Sequence, residues 1–420
     1  MFDSLSPDPL PLEGLRVLDF SQFLAGPSCA LRLADLGADV IKIERPDGGD
    51  LCRSLVLADQ LFDGDSALFH TINRRKRSFT ADLKAPADLE RVKALIGRAN
   101  VMIHNFRPGV MERIGLDAAS VLALNPRLVY AAVSGYGEEG PWRDKPGQDL
   151  LVQSLSGLAW LTGDAHADGS GPPGPAGVSM IHVITGAHLV QGILAALLHR
   201  GVTGRGGRVD VSLLESALDL QFEPFTAFLN SDGAQPQRTA ENHASVHGAA
   251  PYGIYRTRDG FMAVAMTPMD KLAGLIGSPA LAALAADRSG WFRNRDALKH
   301  QLQQDLLARD SAHWLAILEP AGVWCADVLR WPQLVEHPAF AALEMTQTLR
   351  SASGQTMRTT RCPIRIDGRR LYSEHGAPRL GADTEAVTRE FGLDSPARPS
   401  LPTSLPSSSV SSTGTSHPSP

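Results

Sequence analysis

Cysteine is scarce in this chain, with 4 in 420 residues. Cys29, Cys52, Cys325 and Cys362 stand far apart and form no CxxC pair. That spacing argues against a disulfide framework or a zinc site and for a reduced, cytoplasmic setting. Charge of one sign is also missing. The 40 basic and 45 acidic residues leave a formal charge of −5, which gives no reason to expect nucleic acid as a partner. No apolar run approaches the roughly 20 residues that span a bilayer, so no membrane partner is expected. The amino terminus, MFDSLSPDPLPLEG, is acidic and proline-bearing, unlike a signal peptide. G-x-S-x-G, H-E-x-x-H and P-loop signatures are absent. The 13 histidines show no metal-ligand spacing, so neither a metal nor a prosthetic group is expected.

What is present is organised around residues 16–44, RVLDFSQFLAGPSCALRLADLGADVIKIE. Val17, Leu18 and Phe20 read as a buried strand, followed by a turn with Gly26 and with Pro27 at the first helical position. Cys29, Ala30, Leu31, Leu33, Ala34 and Leu36 recur at helical spacing, Gly37 closes the helix, and Val40, Ile41 and Ile43 read as a second strand. Strand, helix and strand within about thirty residues make a parallel βαβ unit. The loop after its first strand lies where open α/β sheets bind ligands, and the helix amino terminus there favours an anion. With a single glycine, Gly26, this loop lacks the G-x-G-x-x-G fingerprint, which disfavours a conventional NAD site.

Further strands are expected at 78–83, 101–104, 128–133 and 209–211, alternating with helices at 85–99, 149–161, 184–198 and 213–229. The alternation predicts a doubly wound, mostly parallel sheet, an α/β fold. The basic run Arg74 to Arg77 reads as a solvated loop. A polar connection at 230–248 leads to a hairpin at 251–266 turning at Arg258-Asp259-Gly260. Helices 272–276, 281–286, 297–307 and 312–321 follow it. The division expected is a large domain over 1–229 completed by 326–394, and a linker with a smaller α/β domain over 230–325. Residues 395–420, nearly all Ser, Pro and Thr, read as a disordered tail.

Loops at the carboxyl edge of the sheet offer Arg45, Lys84, Arg107, Arg113 and Tyr136, a set suited to a phosphate-bearing ligand with an aromatic portion. The ordinary reading of each alone is solvated surface or packing. The stretch TGDAHADGSGPPGPAG (162–177) sets five glycines and three prolines around Asp164 and Asp168. A carboxylate on so bare a loop can be approached closely by a substrate, although Asp and Gly are common in any turn. Asp149 reads as a helix N-cap and His182, on an apolar stretch, as a satisfied core residue.

The phrases GLRVLDFSQFLAGPSCALRLADLGADVIKIE, NRRKRSFTADLK, ANVMIHNFRPGVMERIGL, NPRLVYAAVSGYGEEGP, GQDLLVQSLSGLAWLTG and TGRGGRVDVSLLESAL stand in a fixed order. Together they resemble the class III coenzyme A transferases, the CaiB/BaiF family, which includes formyl-CoA transferase and the α-methylacyl-CoA racemases. The resemblance runs from about Leu12 to Gly392. It implies an interlocked homodimer, each subunit having a Rossmann-like large domain and a small one. The implied substrates are an acyl-CoA and a carboxylic acid acceptor, with CoA bound as a thioester substrate. Carried over by motif, Ala25 would line the CoA site. Arg45, Leu83, Lys84, Asn105, Phe106 and Arg113 would hold the nucleotide, and Ser134, Gly135 and Tyr136 would flank the pantetheine. Leu24 stands where formyl-CoA transferase has glutamine. The family's nucleophilic aspartate lies in a TGxxDGPP-like loop. Here that loop is longer, with Asp168 the best fit and Asp164 the reserve. At the racemase branch's base positions stand Gln148 and His182, with Thr267 and Pro268 where a glutamate would follow, which disfavours proton abstraction.

Overall fold

The computed structural model describes residues 9–163 and 171–394. Six strands, β1 (Arg16–Asp19), β2 (Asp39–Glu44), β3 (Arg77–Thr80), β4 (Val101–His104), β5 (Val129–Ser134) and β6 (Gly207–Ser212), form one sheet. Every pairing is parallel and the spatial order is β3-β2-β1-β4-β5-β6. Parallel strands are covered on both faces, so their sequences run apolar without alternation. VMIH of β4 is buried at all four positions. On one face, Val17, Val101 and Val129 pack with Ala30 and Leu33 of the Ala25–Asp35 helix and with Leu189 and Ile193 of the Met180–Thr203 helix. On the other, Ile41, Phe79 and Met102 pack with Val92 and Leu95 of the Pro86–Ile96 helix. Val387 and Phe391 of the Thr384–Phe391 helix join that layer, bringing the chain's distant end back to the sheet.

A separate core forms around Tyr255, Met262, Leu272, Leu298, Leu302 and Trp314. It lies between a three-stranded antiparallel sheet (Gly253–Arg256, Phe261–Val264, Cys325–Asp327) and the helices Met269–Ile276, Pro279–Ala285, Arg295–Leu306 and Ser311–Leu318. The hairpin closes where expected, with Thr257 N–H donating to Gly260 O at 3.0 Å.

Several local expectations are corrected. The first helix begins at Ala25, which leaves Pro27 within its first turn, where a missing N–H costs no bond. The 213–229 helix is two, Leu213–Leu220 and Phe222–Leu229. Pro224 has no N–H to give to Leu220, so the ladder breaks there. The 149–161 helix divides into Asp149–Leu155 and Leu158–Leu161 at Gly157, whose φ is 84°. Its cap is Gln148, whose side chain accepts from Leu150 and Leu151 N–H, so Asp149 is not the cap. The Met180–Thr203 helix is 24 residues long and, by length and composition, apolar enough to cross a membrane, but it packs its Ile181, Gly186, Leu189 and Ile193 stripe against the sheet layer. Arg74 and Lys76 are buried, not solvated. Arg74 grips both oxygens of buried Asp35 at 2.8 and 3.0 Å, because two acids beneath this turn need internal counter-ions.

Candidate active site

The strand order reverses at β1, between β2 and β4, which makes its carboxyl end the place where an open sheet leaves a crevice. Asp19 ends β1 there with its side chain fully buried. Lys76 Nζ donates to Asp19 Oδ2 at 2.8 Å, to Asn73 Oδ1 at 2.8 Å and to Pro27 O at 3.0 Å. Lys42 Nζ donates to Ser21 O at 2.7 Å and pairs with Asp50 Oδ2 at 2.9 Å and Asp19 Oδ2 at 3.8 Å. Burial works against every charge in this cluster. Lys42 and Lys76 nonetheless hold the Asp19 carboxyl below the usual range. Asp19 and Asp50 together raise Lys42. Burial outweighs the pairing at Lys76 and brings it to about 8.

This cluster fixes the loop that follows β1. Gln22 N–H donates to Asn105 Oδ1 at 2.8 Å, and Asn105 Nδ2 returns a bond to Gln22 O at 2.7 Å, a clasp across the reversal point. Phe23 N–H donates to Asp50 Oδ1 at 3.2 Å. Phe23 has φ 64°, a left-handed conformation that costs a non-glycine residue roughly 1–2 kcal/mol and persists only where the surroundings enforce it. Glu44 closes the far side of the loop. Its carboxylate takes two bonds from Arg53, both at 2.8 Å, one from Ser78 Oγ and one from Asp50 N–H. Burial opposes its charge, but the Arg53 pairing keeps it ionised below the usual range.

Above this platform lies a cavity of about 230 Å³. Arg45, Leu83, Lys84 and Phe106 line it together with Ser21, Gln22, Lys42 and Ile114. Arg45 Nε is held on Gly49 O at 2.9 Å, and its terminal nitrogens have no hydrogen-bond partner among the described residues. Asn105 acts one layer below, through Gln22, and Arg113 is exposed at the end of the Val110–Arg113 turn, next to Ile114. Ala25 is not on the wall: it is 2% exposed and packs beneath the Met180–Thr203 helix.

A second cavity, about 690 Å³, opens on the other side of Phe106, which belongs to both. Ser134 and Tyr136 line it, with His104, Tyr130, Glu138 and Arg208. Gly135 is instead packed on the Gly147 backbone, where a Cβ would come within 2.9 Å of Gly147 Cα. His104 stands between Phe106 and Tyr130, with Nδ1 buried and without a hydrogen-bond partner among the described residues. Burial, reinforced by Arg208, pulls it to about 4, so the imidazole is neutral at physiological pH. It can share a hydrogen bond with a ligand without bringing a charge.

The glycine-rich loop rises from a defined stem. Gly174 N–H donates to Ala159 O at 2.8 Å, and Ala176 N–H to Gln153 Oε1 at 2.9 Å. Gln153 Nε2 in turn donates to Asp149 Oδ1 at 2.6 Å. The other Asp149 oxygen takes His182 N–H at 3.0 Å and meets His182 Nδ1 at 2.9 Å. Burial raises the Asp149 carboxyl, but these bonds outweigh it and hold the group ionised. Asp149 is thus the centre of the stem, and His182 is partnered as expected although half-buried. Asp164 and Asp168 both lie outside the described residues.

The sequence profile described as CoA-transferase family III matches residues 12–384. The chain belongs to CoA-transferase family III. The transferase is 31% identical over 394 residues to a succinate–glutarate CoA-transferase of Agrobacterium fabrum, covering 91% of this chain and 96% of that one. It is 32% identical over 388 residues to an acetyl-CoA:oxalate CoA-transferase of Acetobacter aceti, covering 91% and 96%. Among solved structures, a CAIB/BAIF family protein from Brucella suis superposes with a TM-score of 0.75 at 30% identity, covering 91% of this chain and 100% of that one. Rv3272 from M. tuberculosis does so with a TM-score of 0.76 at 30% identity, covering 90% and 99%.

Sequence reasoning about the transferase missed the buried ions Asp19, Lys42, Asp50 and Lys76. Lys76 falls in the run expected to be a solvated loop, and no expectation attaches to Lys42. The signal present was Lys42 within DVIKIE, a charge inside a strand that is otherwise fully apolar between its end residues. Such a charge needs a buried partner.

Proposed function

We propose that this CoA-transferase moves CoA from an acyl-CoA thioester to a free carboxylic acid through an aspartyl–CoA thioester on Asp168, with Asp164 as the reserve nucleophile. The observation that carries this reading is the convergence of Arg45, Leu83, Lys84 and Phe106 on one cavity at the sheet's reversal point. Its cations suit the phosphates of a nucleotide, with Lys84 and the Arg45 terminus as donors, and Phe106 offers an aromatic wall. Ser134 and Tyr136, on the adjoining cavity beyond Phe106, suit the pantetheine arm. Asn105 acts by holding Gln22, while Ala25, Gly135 and Arg113 serve by packing or from the rim.

In the reaction, the aspartate carboxylate attacks the thioester carbonyl, giving a mixed anhydride and CoA thiolate. The thiolate attacks the aspartyl carbonyl, forming the enzyme thioester and releasing the donor acid. The acceptor carboxylate repeats the steps in reverse order. Splitting one exchange into several acyl transfers lowers each barrier. Loop N–H groups suit the tetrahedral oxyanions. The relatives named for succinate, glutarate and oxalate support a dicarboxylic acid as one partner of the exchange. A racemase reading is weaker, because Gln148 spends its side chain capping a helix and cannot act as a base. A non-catalytic acyl-CoA-binding role would require tight CoA binding without exchange.

Two faces support pairing with a second copy, as an interlocked homodimer in the cytoplasm. Val202 is 89% exposed at the end of the long apolar helix, and Trp331 is 82% exposed in the Trp331–Glu336 helix. The test of the reaction is Asp168→Asn, which is expected to abolish transfer with CoA affinity retained. Mass analysis after incubation with an acyl-CoA should find CoA on a peptide containing 162–177. Unchanged turnover in the variant, or a label elsewhere, would refute Asp168 as the nucleophile.

A further inference from the structure

The stem of the 162–177 loop is tied from outside by a segment far away in sequence. Arg238 Nη1 donates to Pro172 O at 2.8 Å and Nη2 to Gly171 O. The guanidinium lies 4.5 Å from the centre of the Trp160 ring, and the residue is 6% exposed. Among the described residues its charge is met by two loop carbonyls and an aromatic face, with no carboxylate paired to it. Five residues on, His243 Nε2 donates to Leu161 O at 3.0 Å, while its Nδ1 accepts from Thr239 N–H at 3.2 Å. Gly163, which directly precedes Asp164, sits where the strands of this neck meet. A Cβ there would collide with both Pro172 O and the Arg238 guanidinium.

The back of the same segment is fastened to the smaller core. Arg295 Nη2 donates to Gln237 O at 2.7 Å, Lys299 Nζ to Asn242 O at 3.1 Å, and Ala240 N–H to Asp296 Oδ1 at 3.1 Å. All three side chains belong to the Arg295–Leu306 helix. Residues 237–243 are therefore a strap with one side on the loop's neck and the other on that helix.

We propose that Arg238 is a positioning residue for CoA transfer: its guanidinium fixes the neck formed by Gly163, Gly171 and Pro172 at the two ends of the 162–177 stretch. The inference rests on the reading that this loop bears the nucleophile. A fixed neck shortens the search of a tethered carboxylate for the thioester carbonyl, an effect for which displacements near 1 Å cost about 10²-fold. Trp160 and the two carbonyls orient the guanidinium as a planar fork, a geometry that lysine cannot reproduce.

The experiment measures single-turnover formation of the CoA adduct on the 162–177 peptide, alongside the Kd for CoA, in full-length enzyme. In Arg238→Ala the adduct is expected to form about 10²-fold more slowly, with the Kd for CoA unchanged within error. Added guanidinium ion should restore much of the rate, and Arg238→Lys should recover less than arginine. Gly163→Ala disturbs the same contacts without leaving a vacancy, and is expected to lose rate with no response to guanidinium. An unchanged rate in Arg238→Ala overturns the proposal. So does a loss of rate matched by a loss of CoA affinity and unresponsive to guanidinium, which would mark a general role in folding. If the unsubstituted enzyme forms no adduct on this peptide, the aspartyl reading itself fails, and this inference with it.

Discussion

Replacing Lys42 by methionine tests how the ligand-facing loop after β1 is held. Asp19, Lys42, Asp50 and Lys76 carry two charges of each sign, and each side chain is 1% exposed or less. Methionine is close to lysine in length and flexible enough to fill its channel, so the change removes little but the ammonium. Two carboxylates then share one cation, and among the described residues Asp50 keeps the N–H groups of Cys52 and Phe23 as its donors. Breaking a buried pair from one side costs about 3–5 kcal/mol, a large share of the roughly 5–15 kcal/mol that holds a domain folded. Adding Asp50→Asn should reverse part of that loss. The amide oxygen still accepts from Cys52 and Phe23, and Asp19 with Lys76 is left as a neutral pair. The double variant is therefore expected to be about 0.5–3 kcal/mol more stable than the sum of the single changes predicts. Urea unfolding at constant ionic strength reads the stability, and calorimetric CoA titration reads whether Gln22 and Phe23 keep their places. If the two effects add within about 0.5 kcal/mol, the four ions do not act as one unit and the account of this loop is wrong.

Two further outcomes follow from the same physical arguments. Lys299 is brought down to about 8 by burial, with Arg295 adding to the effect. Its charge therefore costs stability below pH 8, and this cost fades as pH rises toward the ordinary lysine value of 10.5. Lys299→Met should show its greatest relative gain near pH 7 and a shrinking one by pH 10, read from urea midpoints; a gain constant with pH would refute the sign. Arg45→Ala should weaken CoA binding by roughly tenfold or more, as expected for losing a charge-assisted bond of about 1.5–3 kcal/mol. The rate at saturating acyl-CoA should persist, and a fall in kcat without a change in KM would remove Arg45 from the nucleotide end.

The sequence by itself determined the layered α/β architecture, because apolar runs such as VMIH and LVYAAV can be buried on both faces only in a parallel sheet between helices. It also determined which loops gather at the carboxyl edge. Arg45, the Leu83–Lys84 pair and Phe106 come from three different loops, yet each follows a strand of one sheet, so strand alternation alone brought them within reach of a common cavity. Helix breaks were written at Pro224 and Gly157, but neighbouring apolar periodicity concealed them. Ion pairing was decided only in three dimensions. Nothing local says that Lys76 would meet Asp19, 57 residues earlier, or that Arg74 would be buried on Asp35 while Arg75 stays in water. Arg238 was likewise one cation in a polar connection until folding carried it 66 residues back to the Pro172 carbonyl. A side chain's charge is a local property. Its partner is set by which distant segment the core packing brings beside it, and where water is excluded that partner decides whether the charge positions a loop or sits in solvent.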